Sequence, residues 1–402
     1  LSNGDYALAT TGSGLYLMQR DGTIRNNFCR KEGLSSDAVY SVFEDAEKDL
    51  WLATDNGITR LETNSPLRIL NENHGLDENP MDIEVFHDKL FTTNSKGLFE
   101  LNSTISQGLP KPYFRKIEGI DNLTMHCQVY GNELLVSNYD GVFKLDQNGN
   151  KSQIARENVV RVEETRPAQM PGHLLVGLEG NGLTELLSPA ANGCRAAGAK
   201  IVPSRAPDGT IFLNSRRNGI YEMAWETPGP HTLRDNFKLL HHGPENGLSS
   251  NKIRWLERVG NAVYASTDEA MHRFNPAKRV FEVDSLLTTG VAPFKGGWIN
   301  EIVAGRDGTM WFTLYHNYQS HVFEYGNGRL QRLPVSGRLS DALISKVHDN
   351  GDGFMLFGSN KWIALFDRTF KAGASKPFQT LIRQVSISQD SLVSFRGAPS
   401  VP

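Results

Sequence analysis

Residues 33–61, GLSSDAVYSVFEDAEKDLWLATDNGITRL, decide the fold because the second half of this stretch recurs along the chain. The recurring part is a short apolar run, a few polar residues, a glycine and a second apolar pair. Taking the apolar residue after each turn as an anchor gives nine copies, 37 to 51 residues apart. The anchors are Leu15, Ile58, Leu98, Val142, Leu183, Ile220, Met271, Val322 and Ile363. A period of about forty residues is typical of repeat proteins.

Each unit predicts short strands rather than helices. In the second unit, residues 39–44, 50–54 and 58–61 are apolar runs separated by turns rich in Asp, Asn and Gly. A looser apolar run at 67–70 is expected to close this unit. Four antiparallel strands in about forty residues make one blade of a β-propeller, and blades in a ring cover each other's faces. We therefore predict an all-β fold, a β-propeller of four-stranded antiparallel blades.

The number of blades is less clear from the repeats. The first unit lacks the strand that should precede residue 6, and seven units counted back from the C-terminus begin near Gly75. Two units are then left over. The sequence predicts a ring of seven to nine blades, either enlarged or preceded by leftover blades of an earlier ring.

Composition excludes several classes of protein. The net charge is −3 with acidic and basic residues interspersed, which does not match a nucleic-acid binding surface. No apolar run approaches the ~20 residues that a membrane-spanning helix needs. The three cysteines are too few and too far apart for a disulfide framework or a metal motif, and we expect no cofactor or metal. Because the chain starts at Leu1 without a signal peptide, we expect an excised or processed fragment.

Residues 33–61 resemble the repeat of the two-component regulator propeller family. The shared features are a Gly-Leu-Ser-Ser opening, a strand ending in Glu-Asp, a Leu-Trp pair, a turn with glycine and a final Arg-Leu. Residues 247–250 repeat the opening, and residues 307–313 (DGTMWFT) repeat the middle. The closing stretch FQTLIRQVSISQDSL resembles the approach to the immunoglobulin-like module that follows such propellers.

The resemblance implies a function as well as a fold. In this family the propellers are the periplasmic sensor region of membrane-bound histidine kinases, often hybrid systems of Bacteroidetes, and they respond to oligosaccharides. It implies a non-catalytic ligand-sensing domain, a homodimer in the full receptor, and a membrane helix and kinase outside this chain. Residues 1–378 would be the propeller repeats, and residues 379–402 would close the ring or lead into the immunoglobulin-like module.

The turns between the second and third strands are the candidate binding surface, since a propeller brings them together at one face. Amides and carboxylates bind hydroxyl groups, aromatic rings stack on sugar rings, and arginine pairs with carboxylate or sulfate. The predicted ligand-binding residues are Lys96, Tyr139, Arg216, Arg217, Tyr315, His316, Tyr318 and Lys361.

Residues 311–321, WFTLYHNYQSH, form the densest candidate cluster on this surface. The spacing predicts a longer loop than in the other units, and extra length with aromatic residues suits a binding loop. Trp51 and Trp311 occupy equivalent strand positions. They could be sugar-stacking platforms, but their apolar neighbours favour packing between blades.

Two other functions remain open. The DGTMWFT stretch also resembles the repeats of streptogramin-type lyases, which are propeller enzymes that use a histidine, a glutamate and magnesium. His316 or His321 would then be the base, with Glu301 or Glu324 as the carboxylate. The third alternative is a scaffold that binds protein partners; exposed aromatic residues without a pocket would favour it.

Overall fold

A computed structural model gives the fold of the chain. It describes residues 1–63, 65–106, 109–156, 159–164, 173–178, 182–187, 190–193, 202–205, 210–215, 217–225, 237–290, 297–333, 339–351, 353–370, 384–388, 391–395 and 398–399. Among these residues there is one short α-helix and no helix long and apolar enough to span a membrane.

The chain begins with two three-stranded antiparallel sheets. The first contains β1 (Tyr6–Ala9), β2 (Leu15–Met18) and β3 (Ile24–Phe28); the second contains β4 (Val39–Glu44), β5 (Leu50–Thr54) and β6 (Gly57–Leu61). A 3₁₀ turn at Arg30–Glu32 lies between them. Leu15, Val39 and Leu52 are buried between the two sheets and hold them together.

Strand β7 (Leu67–Leu70) and the next 27 strands build the main body, seven four-stranded sheets in the described residues. The first three sheets are β8 (Asp82–Phe86), β9 (Lys89–Asn94), β10 (Gly97–Ser106) and β11 (Leu109–Asp121); β12 (Thr124–Tyr130), β13 (Glu133–Asn138), β14 (Gly141–Asp146) and β15 (Lys151–Ala155); and β16 (Val159–Glu164), β17 (His173–Leu178), β18 (Gly182–Leu187) and β19 (Ala190–Gly193). A 3₁₀ turn, Glu72–His74, precedes β8.

The next three sheets follow the same order. They are β20 (Val202–Arg205), β21 (Ile211–Asn214), β22 (Ile220–Trp225) and β23 (Phe237–His242); β24 (Trp255–Val259), β25 (Ala262–Ser266), β26 (Met271–Asn275) and β27 (Val280–Val283); and β28 (Trp298–Ala304), β29 (Met310–His316), β30 (Gln319–Gly326) and β31 (Arg329–Arg332). A 3₁₀ turn, Pro244–Asn246, precedes β24, and helix α1 (Ser285–Thr289) precedes β28.

The last sheet closes the ring. It consists of β32 (Ile344–Asp349), β33 (Phe354–Ser359), β34 (Ile363–Asp367) and, on its outer edge, β7. The first strands contact one another in the cyclic order β8, β12, β16, β20, β24, β28, β32 and again β8. Within the described residues this is a closed ring of seven blades, with the first strands innermost. The predicted β-propeller is confirmed, and the two leftover units are the sheets that precede the ring.

The prediction that residues 67–70 close the second unit is wrong. Strand β7 instead pairs with β34, with Leu70 opposite Ile363 and Leu67 opposite Phe366. This pairing joins the start of the ring to its end and gives the last blade its fourth strand. A ring sealed in this way covers edges that would otherwise be open for pairing.

The core lies between neighbouring blades. Trp311 is 1% exposed and packs against Phe357 and Phe366 of the next blade, as expected from its strand position. The equivalent Trp51 was expected to pack in the same way, but its side chain is 40% exposed. Its indole donates a hydrogen bond to the Asp45 carboxylate at 2.7 Å instead. The difference arises because the outer face of β4–β6 has no neighbouring blade among the described residues.

The described part of the C-terminal segment forms one more sheet. Strands β35 (Gln384–Ser388), β36 (Ser391–Phe395) and β37 (Ala398–Pro399) pair only with each other in the described residues. Whether residues 379–402 lead into an immunoglobulin-like module stays a prediction.

Candidate functional site

The predicted ligand residues lie at one end of the ring. Antiparallel blades with the same strand order place every turn between second and third strands at the same end, which we call the turn face. The described candidates on these turns or at the adjoining strand ends are Lys96, Tyr139, Arg217, Tyr315, His316, Tyr318 and Lys361. Arg216 lies outside the described residues.

A cavity of about 400 Å³ opens where the first and last blades meet. One wall is the connector, which we define as residues 71–81 between β7 and β8, and the other is the turn at 360–362 of the last blade. The lining carries the carboxylates of Glu72, Asp77 and Glu78 and several amide side chains. Such groups bind hydroxyl groups and cationic groups of a ligand.

Lys96 does not line this cavity but pairs with two residues that do. Its ammonium lies 2.5 Å from the Asp77 carboxylate and 3.4 Å from that of Glu78, and both acids line the cavity. The hydrogen bond from Lys96 to Asp77 raises the pKa of the lysine. Lys96 therefore restrains the connector from the neighbouring turn.

Lys361 lies in the opposite wall. Its ammonium donates to the backbone oxygen of Asp341 at 2.9 Å. The adjacent Trp362 is only 6% exposed, and its indole donates to the Asp341 side chain at 3.4 Å. Of the predicted ligand residues, Lys361 thus lines the cavity beside Trp362, and Lys96 holds two acids of the opposite wall.

A second polar and aromatic group lies beside the sixth blade. Tyr315 and Trp298 are directly opposite on β29 and β28, with ring centroids 5.1 Å apart. The Arg254 guanidinium lies 4.8 Å from the centre of the Trp298 ring, close enough for a cation–π interaction. Sequence reasoning found Tyr315 but missed Trp298 and Arg254. The available signal was an aromatic residue at the start of the first strand of a unit.

The loop predicted around residues 315–318 takes a different form. Its residues lengthen β29 and β30, with His316 paired to Gln319, and leave a tight two-residue turn. Asn317 and Tyr318 in this turn have positive φ angles of 49° and 62°. Tyr318 is 89% exposed at the tip. The prediction of a longer loop is wrong because the added residues continue the ladder of backbone hydrogen bonds.

Tyr139 and Arg217 lie on two other turns of the turn face. Tyr139 is exposed between β13 and β14. Arg217 is exposed between β21 and β22, where its backbone N–H donates to Ser215 at 2.8 Å. Neither residue lines the cavity described above. The structure therefore spreads the candidates around the ring and gathers only part of them at the cavity.

The histidine and glutamate residues considered for a lyase have separate partners. The Arg332 guanidinium donates a hydrogen bond to the His321 ring at 2.8 Å. Burial lowers the pKa of His321, and the charges of Arg332 and His316 lower it further. Glu324 accepts from Gln331 at 2.8 Å, whereas Glu301 lies 3.4 Å from the Lys346 ammonium. In the part of the chain that the structure describes, no group of three or more His, Cys, Asp or Glu residues is placed to hold a metal.

Charged groups also line the inner strands of the ring. Asp82 on β8 is 2% exposed, and its carboxylate lies 2.5 Å from His126 on β12 and 3.4 Å from Lys346 on β32. It also accepts the backbone N–H of Cys127 at 3.0 Å. The nearby Lys346 ammonium and these hydrogen bonds outweigh burial and hold the pKa of Asp82 well below its usual range. This network joins the innermost strands of the first, second and last blades.

Two further titratable groups face each other across the same junction. Glu84 on β8 lies 3.6 Å from His348 on β32. Burial, with the Asp82 charge as the second cause, raises the pKa of Glu84 to about 7. Burial lowers the pKa of His348. Both shifts favour uncharged side chains at the junction of the first and last blades.

Comparison with known proteins confirms the resemblance at the repeat. Residues 33–56 match the family profile described as "Two component regulator propeller". A search of curated proteins finds no match.

Solved structures share the fold at low sequence identity. The extracellular domain of the hybrid two-component system BT3049 from B. thetaiotaomicron matches with a TM-score of 0.68 and 13% identity, over 99% of this chain and 55% of that chain. The extracellular domain of the hybrid two-component system BT4673 from the same organism matches with a TM-score of 0.59 and 13% identity, over 100% of this chain and 56% of that chain. This chain therefore spans about half the length of both.

A propeller enzyme is also similar. Virginiamycin B lyase from Staphylococcus aureus, a catalytically inactive variant in complex with quinupristin, matches with a TM-score of 0.50 and 13% identity. The match covers 75% of this chain and 98% of the lyase. At this identity the likeness concerns the fold.

Proposed function

We propose that this chain, which carries the two-component regulator propeller repeat at residues 33–56, is a non-catalytic, extracytoplasmic ligand-sensing domain. Its ligand is an oligosaccharide, and its location is periplasmic. The parent receptor signals to a histidine kinase outside this chain and acts as a homodimer. The fold shared with extracellular domains of two-component systems supports this proposal.

The cavity at the turn face is the observation that carries the proposal. Its volume of about 400 Å³ falls within the range of about 300–1,000 Å³ that small-molecule sites occupy. Its lining is dominated by amide and charged side chains of the connector and of the turn at 360–362. Such a lining matches the many hydroxyl groups of a sugar better than it matches an apolar ligand.

The proposal is tested by ligand-dependent thermal stability of the 402-residue chain. Neutral and acidic oligosaccharides form two arms, and a ligand of the native state should raise the melting temperature with dose. Asn79→Ala removes an amide from the cavity lining and should weaken this response several-fold. Asn148→Ala, an exposed residue on the turn between β14 and β15, should leave it unchanged.

The outcomes separate the alternatives. No shift with any sugar of either arm contradicts the oligosaccharide ligand. Equal effects of Asn79→Ala and Asn148→Ala contradict the cavity as the site. A shift that requires magnesium, lost in His316→Ala or His321→Ala, would instead favour lyase chemistry.

A protein-binding scaffold is the second candidate. The observation that favours it is the outer face of β4–β6, where Tyr40, Phe43 and Ile58 are exposed together with Trp51. Exposed apolar patches of this kind mark protein interaction sites. Replacing Phe43 and Ile58 by serine should abolish partner binding if the scaffold is the function, and should leave the sugar response intact if the sensor is.

A further inference from the structure

The connector between β7 and β8 belongs to three parts of the molecule at once. It continues directly from β7, the strand that closes the ring. Its residues form one wall of the cavity. Its 3₁₀ turn at Glu72–His74 also packs against β11, the outer strand of the first blade. A change in the conformation of the connector therefore alters its contacts with both the cavity and β11.

The conformation of the connector is tightly specified. Asn71 caps the 3₁₀ turn by accepting the backbone N–H of Asn73 at 3.1 Å, and its own N–H contacts the His74 ring at 3.2 Å. Gly75 follows with a φ of 83°. A Cβ at Gly75 would lie 2.7 Å from the Phe114 backbone oxygen, so the connector lies directly on β11.

Strand β11 in turn contacts the sheets that precede the ring, through β3. The Lys111 ammonium on β11 lies 2.8 Å from the Glu32 carboxylate and donates to the Asn27 backbone oxygen at 3.0 Å. The side chains of Lys111 and Glu32 are 17% and 26% exposed, and partial shielding from solvent strengthens an ion pair relative to a fully exposed one.

His74 lies next to this ion pair. Burial lowers its pKa; among the smaller effects, the Glu32 carboxylate raises the pKa and the Lys111 ammonium lowers it. The connector therefore lines the cavity and, through His74, lies beside the ion pair that joins β11 to the first two sheets. Sites that share one packed element with a single preferred arrangement can be coupled energetically.

We propose that filling the cavity and docking of the first two sheets against the ring are coupled through the connector. A ligand that orders the connector favours the docked arrangement, and docking favours the connector conformation that binds ligand. Such coupling is reciprocal by thermodynamic necessity. The ligand part of this inference rests on the proposed function of the cavity, but the mechanical coupling is a property of the chain alone.

The first test breaks the docking contact and reads the connector. In Glu32→Gln the ion pair with Lys111 loses its charge while the side-chain shape is kept. Amide hydrogen exchange in residues 76–79, the cavity-lining end of the connector beyond His74, should then rise at least about threefold, because local opening becomes easier. Glu133→Gln, which removes a somewhat more exposed ion pair with Lys144 on the second blade, is the control and should leave that exchange unchanged.

The second test runs in the opposite direction. Asp77→Asn loosens the connector from Lys96, and exchange in β3 and the following 3₁₀ turn should rise. Glu282→Gln, which weakens an ion pair with Lys278 on a different blade, should not change it. Melting temperatures close to that of the parent chain show that each variant remains folded.

The two exchange experiments have opposite outcomes with and without coupling. Increased exchange in residues 76–79 in Glu32→Gln, and in β3 and the following 3₁₀ turn in Asp77→Asn, supports coupling through the connector. Changes confined to the immediate surroundings of each substitution overturn it. Neither experiment includes a sugar, so a failed oligosaccharide screen leaves the coupling result intact, and the converse also holds.

Discussion

At the scale of single residues, Glu84 is a group whose surroundings strongly change its acid–base behaviour. Burial and the neighbouring Asp82 raise its pKa from 4.5 to about 7. Its environment includes Lys346 and, at 3.6 Å, His348. The carboxyl is therefore neutral in the folded chain over a range of pH in which it is ionised in the unfolded chain.

This shift predicts a pH-dependent stability. Between about pH 4.5 and pH 7 the folded chain binds a proton at Glu84 that the unfolded chain has released, so the free energy of unfolding falls as the pH rises. Across this range, titration of Glu84 lowers the free energy of unfolding by about 3 kcal/mol. Glu84→Gln should remove this dependence. Chemical denaturation at pH 5 and pH 8 measures it.

Two further groups define the control for that measurement. The lowered pKa of His348 acts in the opposite direction, because below its usual value of 6.5 the unfolded chain gains a proton that the folded chain binds only at lower pH. The difference between the parent chain and Glu84→Gln isolates the carboxyl. Glu47→Gln, on an exposed turn, should show the parent's pH dependence. Identical pH slopes for parent and Glu84→Gln would show that Glu84 titrates normally.

Gly57 carries a second prediction at this scale. Its φ is 104°, and a Cβ there would meet no atom within 4 Å, so substitution strains the backbone without crowding. Gly57→Val should therefore destabilise the second sheet, by about 1–2 kcal/mol or more for a β-branched residue. Gly12→Val, at a turn with equal space and no positive φ, should cost little. Equal melting temperatures for the two variants would contradict the strain argument.

At the scale of elements, equivalent positions have different environments in different blades. Trp311 is buried against the next blade, whereas Trp51 lies on the open outer face of β4–β6. Identical strand patterns therefore do not guarantee identical burial. What decides burial is whether a neighbouring sheet covers that face.

Substitution of the two tryptophans measures this difference. Trp311→Ala should lower the free energy of unfolding by about 3–5 kcal/mol, since it empties a packed site between blades. Trp51→Ala should cost about 1 kcal/mol or less, because it removes a partly exposed ring and one exposed hydrogen bond. Equal losses in urea denaturation would mean that the face of β4–β6 is covered in solution.

At the scale of the whole molecule, the ring depends on a single closing strand. Leu70 of β7 is buried with Ile363 of the last blade and Ile83 of the first. Because this cluster contains both ends of the ring, its packing joins residues far apart in sequence. The ion pair of Asp82 with Lys346 spans the same junction from the inside.

Loss of this packing should open the junction. Leu70→Ala should cost about 2–5 kcal/mol and raise amide exchange in both β8 and β34. Leu145→Ala, equally buried between the first and second blades, should cost a similar amount without raising exchange in β34. If Leu70→Ala changes exchange only within β7, the closure is not the element that holds the ring.

The sequence alone determined the fold class, because a strand repeat of about forty residues has few ways to bury its apolar faces. It also placed the candidate residues on one face, since turn position follows from strand order. The candidates Lys96 and Lys361 were predicted in this way, and their role as ligand residues stays a prediction.

Only the tertiary structure decided which of these residues share a cavity and where the ring closes. Strands β7 and β34 pair with each other although almost the whole sequence of the ring lies between them. No local pattern in residues 67–70 encodes that partner. Trp298, Arg254 and the connector residues became visible only when blades distant in sequence came together. Local apolar periodicity specifies strands and turns, whereas the identity of neighbouring sheets is set by ring closure, a long-range contact that a single repeat does not contain.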